Sequence, residues 1–269
     1  MAVFTELSDE DRDSITAAYG MSSLSSVIGI ADGDRETTYL FRAGEGEFIV
    51  TLFENGAEPL DLELAFETME TLYNNGVPCP KPVRTVHGHS TFQAAGRLVA
   101  TVSFVPGSAT NDATPARCES LGRVMAQIHT ILQRSHKRPA ADLPTGAVHG
   151  ALVHQNVFFL GEEVSGIINF RLRHDDALIS EVADVLVRWT SRPNGELDQE
   201  KVHAVLGGYQ SVRRITDAEK AALPGFVLAS AARRYASDKR RACLPGAAVL
   251  AYESVRPEIV ACSGGSSTS

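Results

Sequence analysis

Apolar positions along this chain first repeat at the spacing of strands and later at the spacing of helices. Ser8-Asp9-Glu10-Asp11 sets a capping serine three residues before a carboxylate, and Gly20 supplies a stop, so a short first helix is expected between them. Residues 22–30, 37–42 and 48–53 are β-branched or aromatic runs, and Ala43-Gly44-Glu45-Gly46 between the last two is a hairpin signal. These predict an antiparallel meander. Leu60, Leu62, Leu64, Phe66, Met69 and Leu72 then follow with mostly helical spacing up to Asn74-Asn75-Gly76, where Pro78, Pro80 and Pro82 forbid further helix. Residues 83–86 and 97–104 return to strand pattern. Val105-Pro106-Gly107 interrupts it where a hinge between two lobes is expected, giving a first domain over residues 1–105.

Beyond the hinge the helical period dominates. Thr114 caps and Pro115 opens a helix whose apolar stripe is Cys118, Leu121, Met125, Ile128 and Leu132. Residues 133–146 read as a basic, proline-containing loop. Residues 147–149, 156–160 and 164–170 read as short buried strands, with Gly150 and Gly161 between them. Periodicity predicts helices over 178–189, 199–209 and 217–235, the third capped by Thr216. Residues 106–262 therefore form a mainly helical domain, and 263–269, built of Ser, Gly and Thr alone, form a disordered tail. An antiparallel sheet with one helix, a hinge, and a helical lobe carrying a small β-hairpin amount to an α+β, bilobal, kinase-like plan.

Composition narrows the partners. Over 269 residues, 33 acidic against 25 basic side chains give a net charge of −8, which repels a phosphate backbone and an anionic leaflet. Nucleic acid and membrane are set aside, and a small-molecule substrate or ligand is expected. Nowhere do about 18 uncharged apolar residues follow one another, and residues 1–14 carry five carboxylates with no apolar run, unlike a secretory signal. Cys79, Cys118, Cys243 and Cys262 are scattered without a C-x-x-C pair, so no metal cluster or disulfide framework is expected and a cytoplasmic location fits.

Five stretches stand out: Ala2-Val3-Phe4-Thr5-Glu6-Leu7-Ser8-Asp9, residues 48–54 (FIVTLFE), residues 76–83 (GVPCPKPV), Asn156-Val157-Phe158-Phe159-Leu160-Gly161 and Gly208-Tyr209-Gln210-Ser211-Val212-Arg213. Together they resemble the bacterial homoserine kinases of the aminoglycoside phosphotransferase and choline kinase superfamily. The resemblance runs to about Tyr235. It implies the two-lobed fold of those kinases with a shortened helical lobe, because only a short loop separates the Thr114 helix from His149. The segment after Tyr235, with Arg233, Arg234, Lys239, Arg240 and Arg241 around it, looks unlike the family.

The resemblance also implies a catalytic motif H-x-D-x-x-x-x-N and a downstream I-D-F. Here the first reads His149-Gly150-Ala151-Leu152-Val153-His154-Gln155-Asn156, with alanine where the base belongs, and the second reads Ile168-Asn169-Phe170. Ala151 and Asn169 thus mark altered catalytic and metal positions, and Gly29 and Gly33 a vestigial nucleotide loop made acidic by Asp34 and Glu36. Losing a general base typically costs about 10²–10⁴ in rate, and Mg²⁺ prefers carboxylate oxygen. The expectation is therefore no cofactor, with ATP and Mg²⁺ doubtful, and no metal site.

Imidazoles exchange protons near neutral pH, so His149 and His154, oriented by Asp175 or Asp176, are the candidate catalytic groups. Asn156, Asn169, Arg171, Arg173 and His174 are the candidates for binding an anionic substrate. Against these stand plainer readings: His149 as a brace of the loop, His154 facing solvent, His129 and Trp189 as core residues, His87 and His89 as a turn. The main reading is metal-free lyase, isomerase or cyclase chemistry on a small amino-acid-like carboxylate; the alternatives, in order, are a pseudokinase module binding a partner protein or a second copy, and residual ATP-dependent phosphorylation of homoserine or another amino alcohol.

Overall fold

The Ser8 hydroxyl accepts the Asp11 amide at 3.1 Å while Asp11 Oδ2 accepts the Ser8 amide at 3.0 Å, and this reciprocal cap starts α1 (Asp9–Ala18). The computed structural model describes residues 5–30, 36–133, 143–237 and 247–255. It falls into two compact units, residues 1–105 and 106–269. After α1 the first unit continues through β1 (Ser26–Ile30), β2 (Glu36–Ala43), β3 (Gly46–Phe53), α2 (Pro59–Asn74), β4 (Pro82–Val83), β5 (Thr91–Ala94) and β6 (Arg97–Ser103). Its sheet is antiparallel, ordered β1-β2-β3-β6-β4, with β5 also paired to β6. Alternate residues Tyr39, Phe41, Val50, Leu52 and Val99 turn inward against Ile15 and Tyr19 of α1, the period-2 pattern of a half-buried sheet. The Tyr19 hydroxyl donates to Val99 O at 3.0 Å and so carries its polar end into the sheet without loss.

Residues 22–25 precede the first strand, and of the expected 83–86 run only Val83 pairs, with Pro82 before it, because the Thr85 amide turns to His89 O at 2.8 Å and the Val86 amide to Ala18 O at 2.8 Å.

The second unit begins with β7 (Ser108–Ala109) and α3 (Pro115–Leu132), whose cap Thr114 accepts the Arg117 amide at 3.2 Å. Then come β8 (Thr145–Val148), β9 (Val157–Leu160), β10 (Glu163–Ile167), β11 (His174–Ala177), α4 (Leu178–Thr190), α5 (Gln199–Gln210), α6 (Asp217–Ser237) and α7 (Ala247–Glu253). Two small sheets form, β10-β9-β7 and β11-β8. Helices α3 and α5 cross backbone against backbone: a Cβ on Gly122 would lie 2.1 Å from Val205 O, and one on Gly208 2.0 Å from Glu119 O. Thr216 and Glu219 cap α6 reciprocally, at 3.2 and 2.9 Å.

The strand expected to run to residue 170 stops at Ile167, since Asn169 turns left-handed at φ 70° and a 3₁₀ turn follows over Phe170–Leu172. Strands β7 and β11 and helix α7 were not expected. Most of the 133–146 loop, Gly33, Lys239, Arg240, Arg241, Cys243, Cys262 and the 263–269 tail lie outside the described residues. No helix among the described residues is long and apolar enough to cross a membrane.

Candidate functional site

The loop that leaves β8 is tied from three sides. Gly150 takes a left-handed φ of 76° to reverse the chain. His149 Nδ1 accepts the Ala151 amide at 3.2 Å and its Nε2–H donates to Ile168 O at 2.9 Å, which commits both ring nitrogens and fixes a neutral tautomer. The buried ring stands edge-on to Phe170, with centroids 4.7 Å apart. Burial pushes its proton affinity down, only partly opposed by the charge of Glu181 and the bond to Ile168. Asn156 closes the loop: its Nδ2 donates to Ala151 O at 2.9 Å, and its own carbonyl accepts the Ile168 amide at 3.0 Å.

Beneath the loop sits a buried carboxylate that sequence reasoning missed. Glu181, in the first turn of α4, accepts the Gly150 amide at 2.7 Å, the His149 amide at 3.2 Å and His129 Nε2–H at 2.9 Å. Burial alone would raise its proton affinity, but these bonds outweigh that and hold the carboxyl below its ordinary value. The chain of bonds continues from His129 Nδ1 to the Tyr209 hydroxyl at 2.7 Å, which accepts Arg213 Nη1–H at 3.0 Å, and Arg213 in turn pairs with buried Glu219 at 3.0 Å. Since Tyr209 oxygen already accepts from Arg213, its own proton goes to His129 Nδ1, leaving Nε2–H to serve Glu181. The available signal was a glutamate inside the apolar run Leu178-Ile179-Ser180-Glu181-Val182-Ala183, and a histidine on the apolar stripe of α3.

A cavity of about 300 Å³ opens beside the loop. Ala151, His174, Asp176, Asp184, Arg188 and Arg233 stand in its wall. Asp176 accepts the Ala177 amide at 2.7 Å and the Ser180 hydroxyl at 2.8 Å, and lies 4.0 Å from His174 Nε2. Asp184 pairs with Arg233 at 3.1 Å. Of the expected site residues the cavity thus brings together Ala151, His174 and Asp176. His154 stands apart from its wall: Nδ1 faces Thr110 O at 3.0 Å, Nε2 faces Arg188 O at 3.3 Å, and the ring lies 4.0 Å from that of Trp189, where burial lowers its proton affinity. Asp175 and Arg171 are exposed and Arg173 half-buried, none of them in the cavity wall. Gly29 lies in β1 opposite Tyr39, while Gly33 is outside the described residues.

Asn156 and Asn169 bear on divalent-ion binding. The Asn156 Nδ2 bond to the loop leaves its amide oxygen as a donor, and the Asn156–Ile168 bond brings the exposed Asn169 next to it in the chain path. Hard cations take oxygen ligands, and Mg²⁺ draws much of its shell from substrate phosphates and water. Amide oxygens are ligands of the type such an ion takes, with fewer charges than carboxylates would bring. Among the described residues no group of three or more His, Cys, Asp or Glu side chains is placed to hold a metal by itself.

A sheet unit with two helices, followed by a helical unit with a His-to-Asn loop braced by a buried acid, matches the bilobal kinase-like plan expected from the sequence. The chain belongs to the phosphotransferase enzyme family, whose model matches residues 26–143 and 132–215. It is 32% identical to the homoserine kinase of Xanthobacter autotrophicus over 87% of this chain and 86% of that protein, and 31% identical to that of Granulibacter bethesdensis over the same shares. Solved structures with the same fold include an aminoglycoside phosphotransferase from Alicyclobacillus acidocaldarius (TM-score 0.68, 14% identity, 97% of each chain). Another is the amicoumacin kinase hAmiN in complex with AMP-PNP and Ca²⁺ (TM-score 0.64, 16% identity, 95% of this chain and 94% of that one).

Membership corrects the expectation of no cofactor with ATP and Mg²⁺ doubtful: the relatives are homoserine kinases of a phosphotransferase family, and the amicoumacin kinase of the same fold holds AMP-PNP with Ca²⁺. The physical reason is that the phosphates themselves bring the charge that neutral amide ligands lack. The same finding favours residual kinase activity over metal-free chemistry among the three functions left open by the sequence.

Proposed function

We propose that this protein is an ATP-dependent kinase of homoserine or a closely related amino alcohol. The observation that carries the reading is the 32% identity to homoserine kinases across 87% of the chain. The cavity supports it. At about 300 Å³ it suits a metabolite rather than an antibiotic. With Asp184 paired to Arg233 and Glu181 committed to His129 and the loop amides, Asp176 and Arg188 remain as one anion and one cation in its wall, a match for an ammonium and a carboxylate on one small molecule.

Glu181, through the amides of His149 and Gly150, keeps the loop fixed beside that cavity, so the substrate hydroxyl meets a preset wall. Asn156 and Asn169 would hold the divalent ion through their amide oxygens. Bound there, the ion neutralises charge on the transferring phosphoryl group. The scattered cysteines, of which Cys79 and Cys118 are buried thiols pushed up to about 12 and about 11 by burial, and the use of ATP both fit a cytoplasmic enzyme.

Titration calorimetry tests the reading. ATP binding that tightens at least tenfold when Mg²⁺ is added, together with measurable homoserine binding, is the expected result. Absence of ATP binding with and without Mg²⁺ would overturn it.

A further inference from the structure

Arg188 stands in the last turn of α4 and lines the cavity together with Ala151 of the loop. Two contacts hold that turn against the loop. The buried Trp189 donates its Nε1–H to Leu152 O at 2.8 Å, and His154 Nε2 faces Arg188 O at 3.3 Å. The backbone that carries the guanidinium is thus tied to the same segment that carries Ala151.

The other charges in the wall are engaged elsewhere. Asp184 lies one turn before Arg188, the i, i+4 spacing at which an acid and a following base on one helix usually pair. Here Asp184 instead meets Arg233 of α6 at 3.1 Å. Glu181 accepts from the Gly150 and His149 amides and from His129. Asp176 is held at the opposite end of α4 by the Ala177 amide and the Ser180 hydroxyl, and two helical turns from Ser180 to Arg188 span roughly 12 Å. Among the described residues no carboxylate pairs with Arg188, which faces the cavity. A guanidinium in that position is suited to a carboxylate ligand, because its planar fork matches two oxygens at once, which a lysine ammonium does not.

We propose that Arg188 is the specificity-determining residue of this cavity: it holds the carboxylate of a hydroxy amino acid, so that the site selects homoserine over amino alcohols that lack one. This rests on the kinase reading above and narrows its substrate class. A site built to bind a polar group rejects the analogue without that group, since its own charged partner is then left unanswered. Asp176, across the cavity from Arg188, takes the ammonium that both kinds of substrate carry, and so does not discriminate between them.

Steady-state kinetics with Mg-ATP test it on the full chain as wild type, Arg188→Met and Arg188→Lys. The substrates are L-homoserine and 3-aminopropan-1-ol, which is homoserine with hydrogen in place of its carboxylate. The wild type should favour homoserine in kcat/KM by about a hundredfold or more. Arg188→Met should raise KM for homoserine by about ten- to a hundredfold with kcat kept within about threefold, while kcat/KM for 3-aminopropan-1-ol stays within about twofold. Arg188→Lys, which keeps the charge and loses the fork, should fall between wild type and Arg188→Met. ATP affinity by calorimetry should be unchanged in both variants, which reports that they are folded. A wild type that uses 3-aminopropan-1-ol as well as homoserine would overturn the role of Arg188 and leave the kinase reading standing. So would an Arg188→Met variant that leaves homoserine kinetics unchanged or weakens both substrates alike. A wild type that transfers phosphate to neither would overturn the kinase reading and this role with it.

Discussion

Glu181 illustrates how one residue can hold a loop whose sequence gives no hint of its support. A carboxylate with no exposure to speak of is tolerated because backbone amides and an imidazole satisfy it. Glu181→Gln keeps the shape but replaces an acceptor pair with one oxygen and an extra donor, so urea denaturation should show a loss of about 1–3 kcal/mol. His149, which is buried, and His154, which is half-buried, bind protons less readily folded than unfolded. The stability they contribute is full above an unfolded pKa of about 6.5 and is lost as pH falls through their lower folded values. Unfolding free energy measured between pH 7 and 5 should therefore decline, and His154→Phe should flatten part of that decline. At this scale the sequence exposed His149, Asn156 and the changed positions Ala151 and Asn169 through their spacing. It hid Glu181, Tyr209 and Arg213, which meet His129 only because α3, α4 and α5 pack together.

Elements with a clear period were legible: α1 from its reciprocal cap, α6 from its period and the Thr216 cap, α3 from its proline and apolar stripe, β2 and β3 from the hairpin between them. Elements fixed by tertiary pairing were not. Strand β11 consists of His174, Asp175, Asp176 and Ala177, poor strand formers that pair only because β8 lies beside them, and it carries the cavity's imidazole. The crossing of α3 on α5 makes a prediction of its own. Gly122→Ala and Gly208→Ala each place a methyl about 2 Å from a carbonyl oxygen of the facing helix, and each should cost about 1–3 kcal/mol or more in stability, whereas Gly207→Ala, with nothing within 4 Å, should be neutral or stabilising. Thermal unfolding of the three variants checks the contrast. In the sheet unit, burial opposes ionisation of Glu54, but bonds from Thr37, Thr5 and Arg97 outweigh it and bring its pKa down to about 2. Its contribution persists above about pH 4.5 and disappears as pH falls towards 2, so Glu54→Gln should narrow the difference in stability between those limits.

For the whole molecule, family and fold were readable from motifs spread along the chain, and the relatives bear them out. The cofactor expectation failed because it weighed two side chains in isolation. A divalent ion that arrives with phosphates needs less charge from the protein than a lone ion does. That is not visible in a motif, and neither is a cavity wall, since strand pairing joins residues far apart in sequence. The account rests on one activity. Incubating the purified full-length protein with Mg-ATP and L-homoserine, and following the products by phosphorus NMR and mass spectrometry, should give O-phosphohomoserine and ADP in equal amounts. ADP formation no faster than in a buffer control, with homoserine and a panel of small amino alcohols all recovered unchanged, would contradict it.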